Sequence, residues 1–234
     1  MCVPPKMDQR KRIAIYGGTF DPVHSGHLEI ARRVSQLFAI DEFLFVPARV
    51  APHKHDREVS SGFHRHAMLV LATQKDPQLC VSTFELDGPE RQYTVDTLFY
   101  FRSQLGGAAD LFFVMGADSW TELTSWREWE RLTTLANLIV ITRPDYEFRS
   151  DNVGSAVAAR VVDVRGLTSE KISDLLQPQT EEIFITDAVM LDVSATEVRQ
   201  AAREGRIASL QKLVPLEVAE YIRKYRLYRN TNEA

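Results

Sequence analysis

The chemistry of this chain concentrates in eleven consecutive residues, Gly17-Gly18-Thr19-Phe20-Asp21-Pro22-Val23-His24-Ser25-Gly26-His27. Two glycines let the backbone approach a ligand closely, a hydroxyl stands beside them, and two imidazoles follow three residues apart. On a helix that spacing puts both rings on one face, where they can serve one anion. Ile13-Ala14-Ile15-Tyr16 ahead of the motif reads as a short strand, and Leu28 to Val34 behind it as a helix. Strand, glycine turn and helix start is the geometry in which unpaired N–H groups and a helix terminus converge on a phosphate. The stretch lacks the Lys-Ser/Thr ending of a P-loop, and its glycines do not fit Gly-x-Gly-x-x-Gly.

Further groups suited to a nucleotide are scattered along the chain. Pro47 to Lys54 reads as a loop following a strand, and Lys54 would bring a mobile ammonium to a polyphosphate. Ser194-Ala195-Thr196-Glu197 matches a capping box that opens a helix stopped by Gly205. Ser194 there either caps the helix or meets a phosphate, and Arg199 is either solvated or a second phosphate ligand. Gly116 and Asp118 follow an apolar run, where a carboxylate accepts from ribose hydroxyls or caps the next helix. Thr94 begins a helical stretch and reads equally as its N-cap. Trp120, Trp126 and Trp129 share one stretch, and tryptophans so placed are more often core than ligand platforms. Of the six histidines, only His24 and His27 sit in a recognisable site. A zinc site would need accompanying cysteine or carboxylate spacing, so His53, His55, His64 and His66 read as a solvated face.

The elements that must position these groups alternate. Glu42–Pro47, Leu79–Phe84, Asp110–Met115 and Asn137–Thr142 read as strands, and Phe63–Gln74 and Thr94–Leu105 as helices, the latter stopped by Gly106-Gly107. The continuous apolar runs are of the kind buried on both faces of a parallel sheet. This predicts an α/β protein with a doubly wound parallel sheet and ligands beyond the strand C-termini at a switch point. Residues 1–11 read as a disordered or translation-start extension, 12–190 as the α/β domain and 191–234 as a small helical C-terminal part ending in a helix near Leu216–Tyr225. Between 145 and 190 only short strands near Val161-Val162 and Ile183-Phe184-Ile185 are legible. A net charge of −4 over 234 residues, without a basic stripe, argues against nucleic acid as partner. Two cysteines, no signal-peptide pattern and no membrane-length apolar run predict a cytoplasmic protein that does not associate with membranes.

The pieces together resemble the bacterial nicotinate mononucleotide adenylyltransferases, members of a nucleotidyltransferase superfamily with the His-x-Gly-His signature. The resemblance rests on Gly17 to His27, Pro52-His53-Lys54, Arg65 with Met68-Leu69, Glu85-Leu86, Tyr93 to Leu98, Met115 to Ser119, Trp126, Arg143-Pro144, Ser194 to Arg199, and Leu213-Val214-Pro215 with Tyr221-Ile222. It implies a Rossmann-like nucleotidyltransferase fold and in-line attack by the phosphate of nicotinate mononucleotide on the α-phosphorus of ATP, with Mg²⁺ accompanying the triphosphate. It further implies His24, His27, Lys54 and Arg199 as catalytic groups, and Gly17, Gly18, Thr19, Phe20, Gly116, Asp118, Ser194 and Thr196 around ATP. Thr94, Trp126 and Arg143 would hold the nicotinate mononucleotide. The alternatives are a transferase preferring nicotinamide mononucleotide, or a non-catalytic nucleotide sensor; a homo-oligomer is compatible with either. The chain departs from the family pattern at Gln92, Arg127 and Ala195. Arg127, beside the expected stacking tryptophan, either pairs with the nicotinate carboxylate or faces solvent.

Overall fold

Alternation along each strand sorts the apolar side chains to two faces. The computed structural model of the chain describes residues 10–49, 59–88, 92–142, 147–176, 181–187 and 193–229. Its strands are β1 (Lys11–Gly18), β2 (Glu42–Pro47), β3 (Leu79–Val81), β4 (Ala109–Gly116), β5 (Asn137–Ile141), β6 (Val161–Asp163) and β7 (Ile183–Thr186). They form one sheet in the order β3-β2-β1-β4-β5-β7-β6, with every pairing parallel.

The helices are α1 (Ser25–Leu37), α2 (Gly62–Thr73), α3 (Phe84–Asp87), α4 (Thr94–Leu105), α5 (Ala117–Thr121), α6 (Trp129–Leu132), α7 (Ser155–Ala158), α8 (Ser169–Leu175), α9 (Ala195–Arg203), α10 (Ile207–Leu213) and α11 (Leu216–Lys224). Ala14, Phe43, Phe45, Phe112 and Phe184 face one core, which α1, α2 and α8–α11 cover through residues such as Val34, Leu69, Ile172, Val198, Leu210 and Val218. Ile13, Ile15, Leu44, Phe113 and Ile185 face the other, covered by Leu98 of α4, Trp120 of α5 and Leu132 of α6. This is the doubly wound parallel sheet that the alternating pattern predicts.

Strand order reverses between β1 and β4. Leaving β1, the chain winds outward through β2 and β3; returning at β4, it winds the other way. Side by side at that switch point lie the C-terminal ends of β1 and β4, the place where doubly wound sheets receive ligands.

One local reading needs correction, and two further features are not legible in the sequence. Strand β3 stops at Val81 and does not reach Phe84, because the Ser82 hydroxyl accepts from the Phe84 N–H at 3.1 Å and starts the turn of α3. Residues 207–213, which carry no strong start signal, form α10 after Gly205 turns the chain at φ +66°. The short strands of the poorly legible stretch are real, but β7 inserts between β5 and β6, pairing Leu138 with Ile183 and Val161 with Ile183.

Candidate active site

The glycine motif does form a strand–turn–helix. Gly17 and Gly18 end β1, Thr19 to Val23 make the turn, and His24 is the N-cap of α1. The turn is tightly built. A Cβ on Gly18 would come within 2.9 Å of the Phe20 ring, and Phe20 itself sits at φ +47°, a left-handed conformation that costs a non-glycine residue about 1–3 kcal/mol. That strain persists because the Phe20 side chain is locked in the core, edge-on to Tyr16 at 5.5 Å and to Phe45 at 5.5 Å. The Asp21–Pro22 peptide is cis.

The two histidines stack, with ring centroids 3.7 Å apart and planes inclined by 27°. His27 Nδ1 accepts from the His24 backbone N–H at 3.2 Å. An imidazole that accepts at Nδ1 carries its proton on Nε2, so His27 presents a donor. Edge contacts to Phe20 and Tyr16 hold its ring. His24 is buried, and burial pulls its pKa down to about 4, so the ring is neutral near pH 7. Its Nδ1 is buried without a hydrogen-bond partner. Gly26 makes room for that ring: a Cβ there would lie 3.1 Å from His24 Nδ1. No acidic residue occupies the first turn of α1, so its N-terminal partial charge is uncompensated.

Helix α9 reaches the same turn from the far end of the chain. The Ser194 hydroxyl accepts from the Glu197 N–H at 3.2 Å, so Ser194 does cap. Arg199 donates to the Asp21 carbonyl at 2.8 Å and to the Thr196 hydroxyl at 2.9 Å. Arg199, at intermediate exposure, therefore ties α9 to the turn.

Gly116 lies at the other side of the switch point, as N-cap of α5, and no atom lies within 4 Å of where its Cβ would be. Asp118 is exposed at the second position of α5 and does not cap it; the cap position belongs to Gly116. Thr94 likewise is not the N-cap of α4. Tyr93 holds that place, with the Asp96 carboxylate accepting from the Tyr93 N–H at 3.3 Å. Trp126 is half-buried, edge-on to Phe113 of β4 at 6.4 Å, and its indole N–H is buried without a partner. Arg127 lies with its guanidinium carbon 4.8 Å from the centre of the Tyr93 ring and Nε 3.6 Å from Glu128. This cation–π contact joins the Trp126 segment to the start of α4. Trp120 is fully buried and donates to the Arg149 carbonyl, a packing role. Lys54 and Arg143, like His53 and His55, lie outside the described residues. His64 is not on a solvated face: its Nδ1 is 2.9 Å from the Tyr221 hydroxyl, between α2 and α11.

Arg65 has a part that its setting in the sequence, between two histidines on a helix, does not disclose. It is 1% exposed and donates to the carbonyls of Ser60 at 3.0 Å, Thr19 at 2.7 Å, Ala48 at 2.6 Å and Arg49 at 3.3 Å. Burial lowers its pKa, while Asp21, Tyr228 and Glu85 act in the other direction. Glu85 is pushed up by burial and accepts from the Thr97 hydroxyl at 2.7 Å. One guanidinium thus pins the Thr19 turn to Ala48 and Arg49 after β2 and to Ser60 before α2.

Comparison with known proteins agrees with this geometry. Residues 15–201 match the cytidylyltransferase-like family model. A probable nicotinate-nucleotide adenylyltransferase of Thermoanaerobacter sp. is 34% identical over 227 residues, covering 97% of this chain and 99% of the relative. The chain belongs to the nicotinate-nucleotide adenylyltransferase family. A relative of the same name from Mycobacterium bovis is 34% identical over 216 residues, covering 92% of this chain and 91% of its own. Among solved structures, the Plasmodium falciparum nicotinic acid mononucleotide adenylyltransferases complexed with APC and with NaAD each superpose with a TM-score of 0.65. They are 22% and 23% identical and cover 93% of this chain and 97% of their own, so they speak to the fold.

Proposed function

We propose that this chain is an adenylyltransferase that joins ATP and nicotinate mononucleotide into nicotinate adenine dinucleotide, with release of pyrophosphate, in NAD biosynthesis. A phosphate oxygen of the mononucleotide attacks the α-phosphorus in line, and the bond from the α-phosphorus to the bridging oxygen of pyrophosphate breaks. The protein forms no covalent bond; it holds the two phosphates in line and stabilises charge as it builds. The observation that carries this reading is the bond from Arg199 of α9 to the Asp21 carbonyl, which ties α9 to the turn at the N-terminus of α1.

In this reading Thr19 and the backbone of Gly17, Gly18 and Phe20 meet the α-phosphate. His27 donates from Nε2 to the oxygen on which charge develops, and neutral His24 supports it through the ring stack. Ser194, Thr196 and Arg199 grip the β- and γ-phosphates, and Lys54 adds its charge to the same group. Gly116 leaves space for the ribose, with Asp118 accepting from its hydroxyls. Thr94, Trp126 and Arg143 receive the pyridine mononucleotide, with Arg127 close by to favour an acid over an amide.

Family members work with a divalent metal and ATP, and we take the metal to be Mg²⁺. Among the described residues no group of three or more His, Cys, Asp and Glu could hold an ion. The donors around the turn are N–H groups and a guanidinium, which suit phosphate oxygens. The residues therefore fit a cation carried by phosphate and water oxygens, which when bound neutralises the departing pyrophosphate. Among the described residues no helix is long and apolar enough to cross a membrane. A cytoplasmic setting and a C-terminal part from 191 that completes the ATP site belong to the same reading; β1 begins at Lys11, so the α/β domain starts there and not at residue 12.

The test is pyrophosphate release by the purified protein with ATP, Mg²⁺ and either nicotinate or nicotinamide mononucleotide. Release with the acid well above that with the amide is expected. The reverse preference would move the assignment to the amide enzyme, and no release with either would overturn it.

A further inference from the structure

The chain runs on past α11 for a few described residues, and these do something the sequence does not announce. Arg226 and Tyr228 both adopt left-handed backbone conformations, at φ +52° and +67°. Two such residues within three positions bend the segment sharply back, and the Leu227 N–H closes the bend on the Ile222 carbonyl at 3.0 Å. The bend delivers the Tyr228 side chain to Asp21, 207 positions earlier, where its hydroxyl donates to Oδ1 at 2.8 Å. Asp21 is 2% exposed and sits in the phosphate turn, next to strained Phe20. Backbone strain held by a distant side chain at a ligand-binding turn points to positioning.

We infer that Tyr228 is a positioning residue: its hydroxyl fixes the Asp21 carboxylate, and through it the Phe20–Val23 turn, in the conformation that receives the α-phosphate. The Asp21 residue is held from two sides, its carbonyl by Arg199 and its carboxylate by Tyr228. Its rotation is thereby fixed about the backbone that leads to Thr19 on one side and His24 on the other. Burial and the Asp21 charge both push the Tyr228 hydroxyl upward, so it stays a donor throughout the physiological range. The C-terminal segment therefore acts on the turn directly, besides covering the core.

This inference rests on the adenylyltransferase reading for its catalytic consequence, so the experiment has one readout that needs no activity. In the full-length protein, Tyr228→Phe removes one oxygen and keeps the ring. Amide hydrogen exchange should rise in peptides covering residues 17–24 and stay unchanged over β5 and β7. In the pyrophosphate assay kcat should fall about tenfold, with the KM for the mononucleotide changed less than twofold. Unchanged exchange in the turn, exchange rising equally throughout, or unaltered kcat would each overturn the inference. If the wild-type protein itself releases no pyrophosphate, it is the adenylyltransferase reading that fails, and the exchange result still decides whether Tyr228 orders the turn.

Discussion

Replacing Arg65 by lysine keeps a positive charge in place and removes the planar fork. The four acceptors of the guanidinium come from three segments: Thr19 in the turn, Ala48 and Arg49 after β2, and Ser60 before α2. One ammonium cannot stand at Nε, Nη1 and Nη2 together, so at least two of these carbonyls lose their partner. A buried acceptor left unsatisfied costs about 1–2 kcal/mol, so the variant should lose about 2–4 kcal/mol in urea unfolding followed by tryptophan fluorescence. For a chain of this size that corresponds to a melting temperature lower by roughly 5–15 °C. Activity, measured at a temperature where the variant is folded, should fall about 10- to 100-fold, because the turn and the segments after β2 and before α2 lose their common anchor. Stability within about 0.5 kcal/mol of wild type together with unaltered turnover would refute the idea that this fork organises the site.

Other consequences are as direct. His27→Ala removes the donor at Nε2, and kcat should drop by about two to three orders of magnitude while the fold is retained; near-normal turnover would sink the phosphate role. His24 has a folded pKa of about 4 against its ordinary 6.5. The unfolded chain therefore binds the extra proton first, and stability is lost as pH falls from 6.5 through 4. The full effect is about 3 kcal/mol, visible as a difference in acid unfolding between wild type and His24→Gln, whose own curve should lack this component. Gly26→Ala brings a methyl to 3.1 Å from the His24 ring. Helix propensity favours alanine by up to about 1 kcal/mol, so thermal stability should change little while kcat falls; retention of full activity would show that the ring's exact seat is unimportant.

Much of the molecule is readable along the chain because the signals are local. The buried runs at Asp110–Met115 and Asn137–Thr142, the glycine stop at Gly106 and the Ser194 cap depend on neighbours within a few positions, and the structure keeps them. Thr94 and Asp118 were harder, since a cap is decided by which residue takes the extended conformation, and that fell to Tyr93 and Gly116. His64 and Arg65 look like a charged helical face, and nothing nearby in sequence says that Tyr221 and four backbone carbonyls surround them.

The sequence by itself determined the class of sheet, the strand–turn–helix at the glycine motif and the residue types gathered there, because apolar periodicity and glycine–histidine spacing are properties of adjacent residues. Only the tertiary structure decided which of those groups act together. Arg199 and Tyr228 lie 178 and 207 positions from Asp21, and burial in a common core, which no local pattern encodes, is what brings them to one turn. The same burial makes His24 neutral and turns Arg65 from a surface charge into the clip that holds the site.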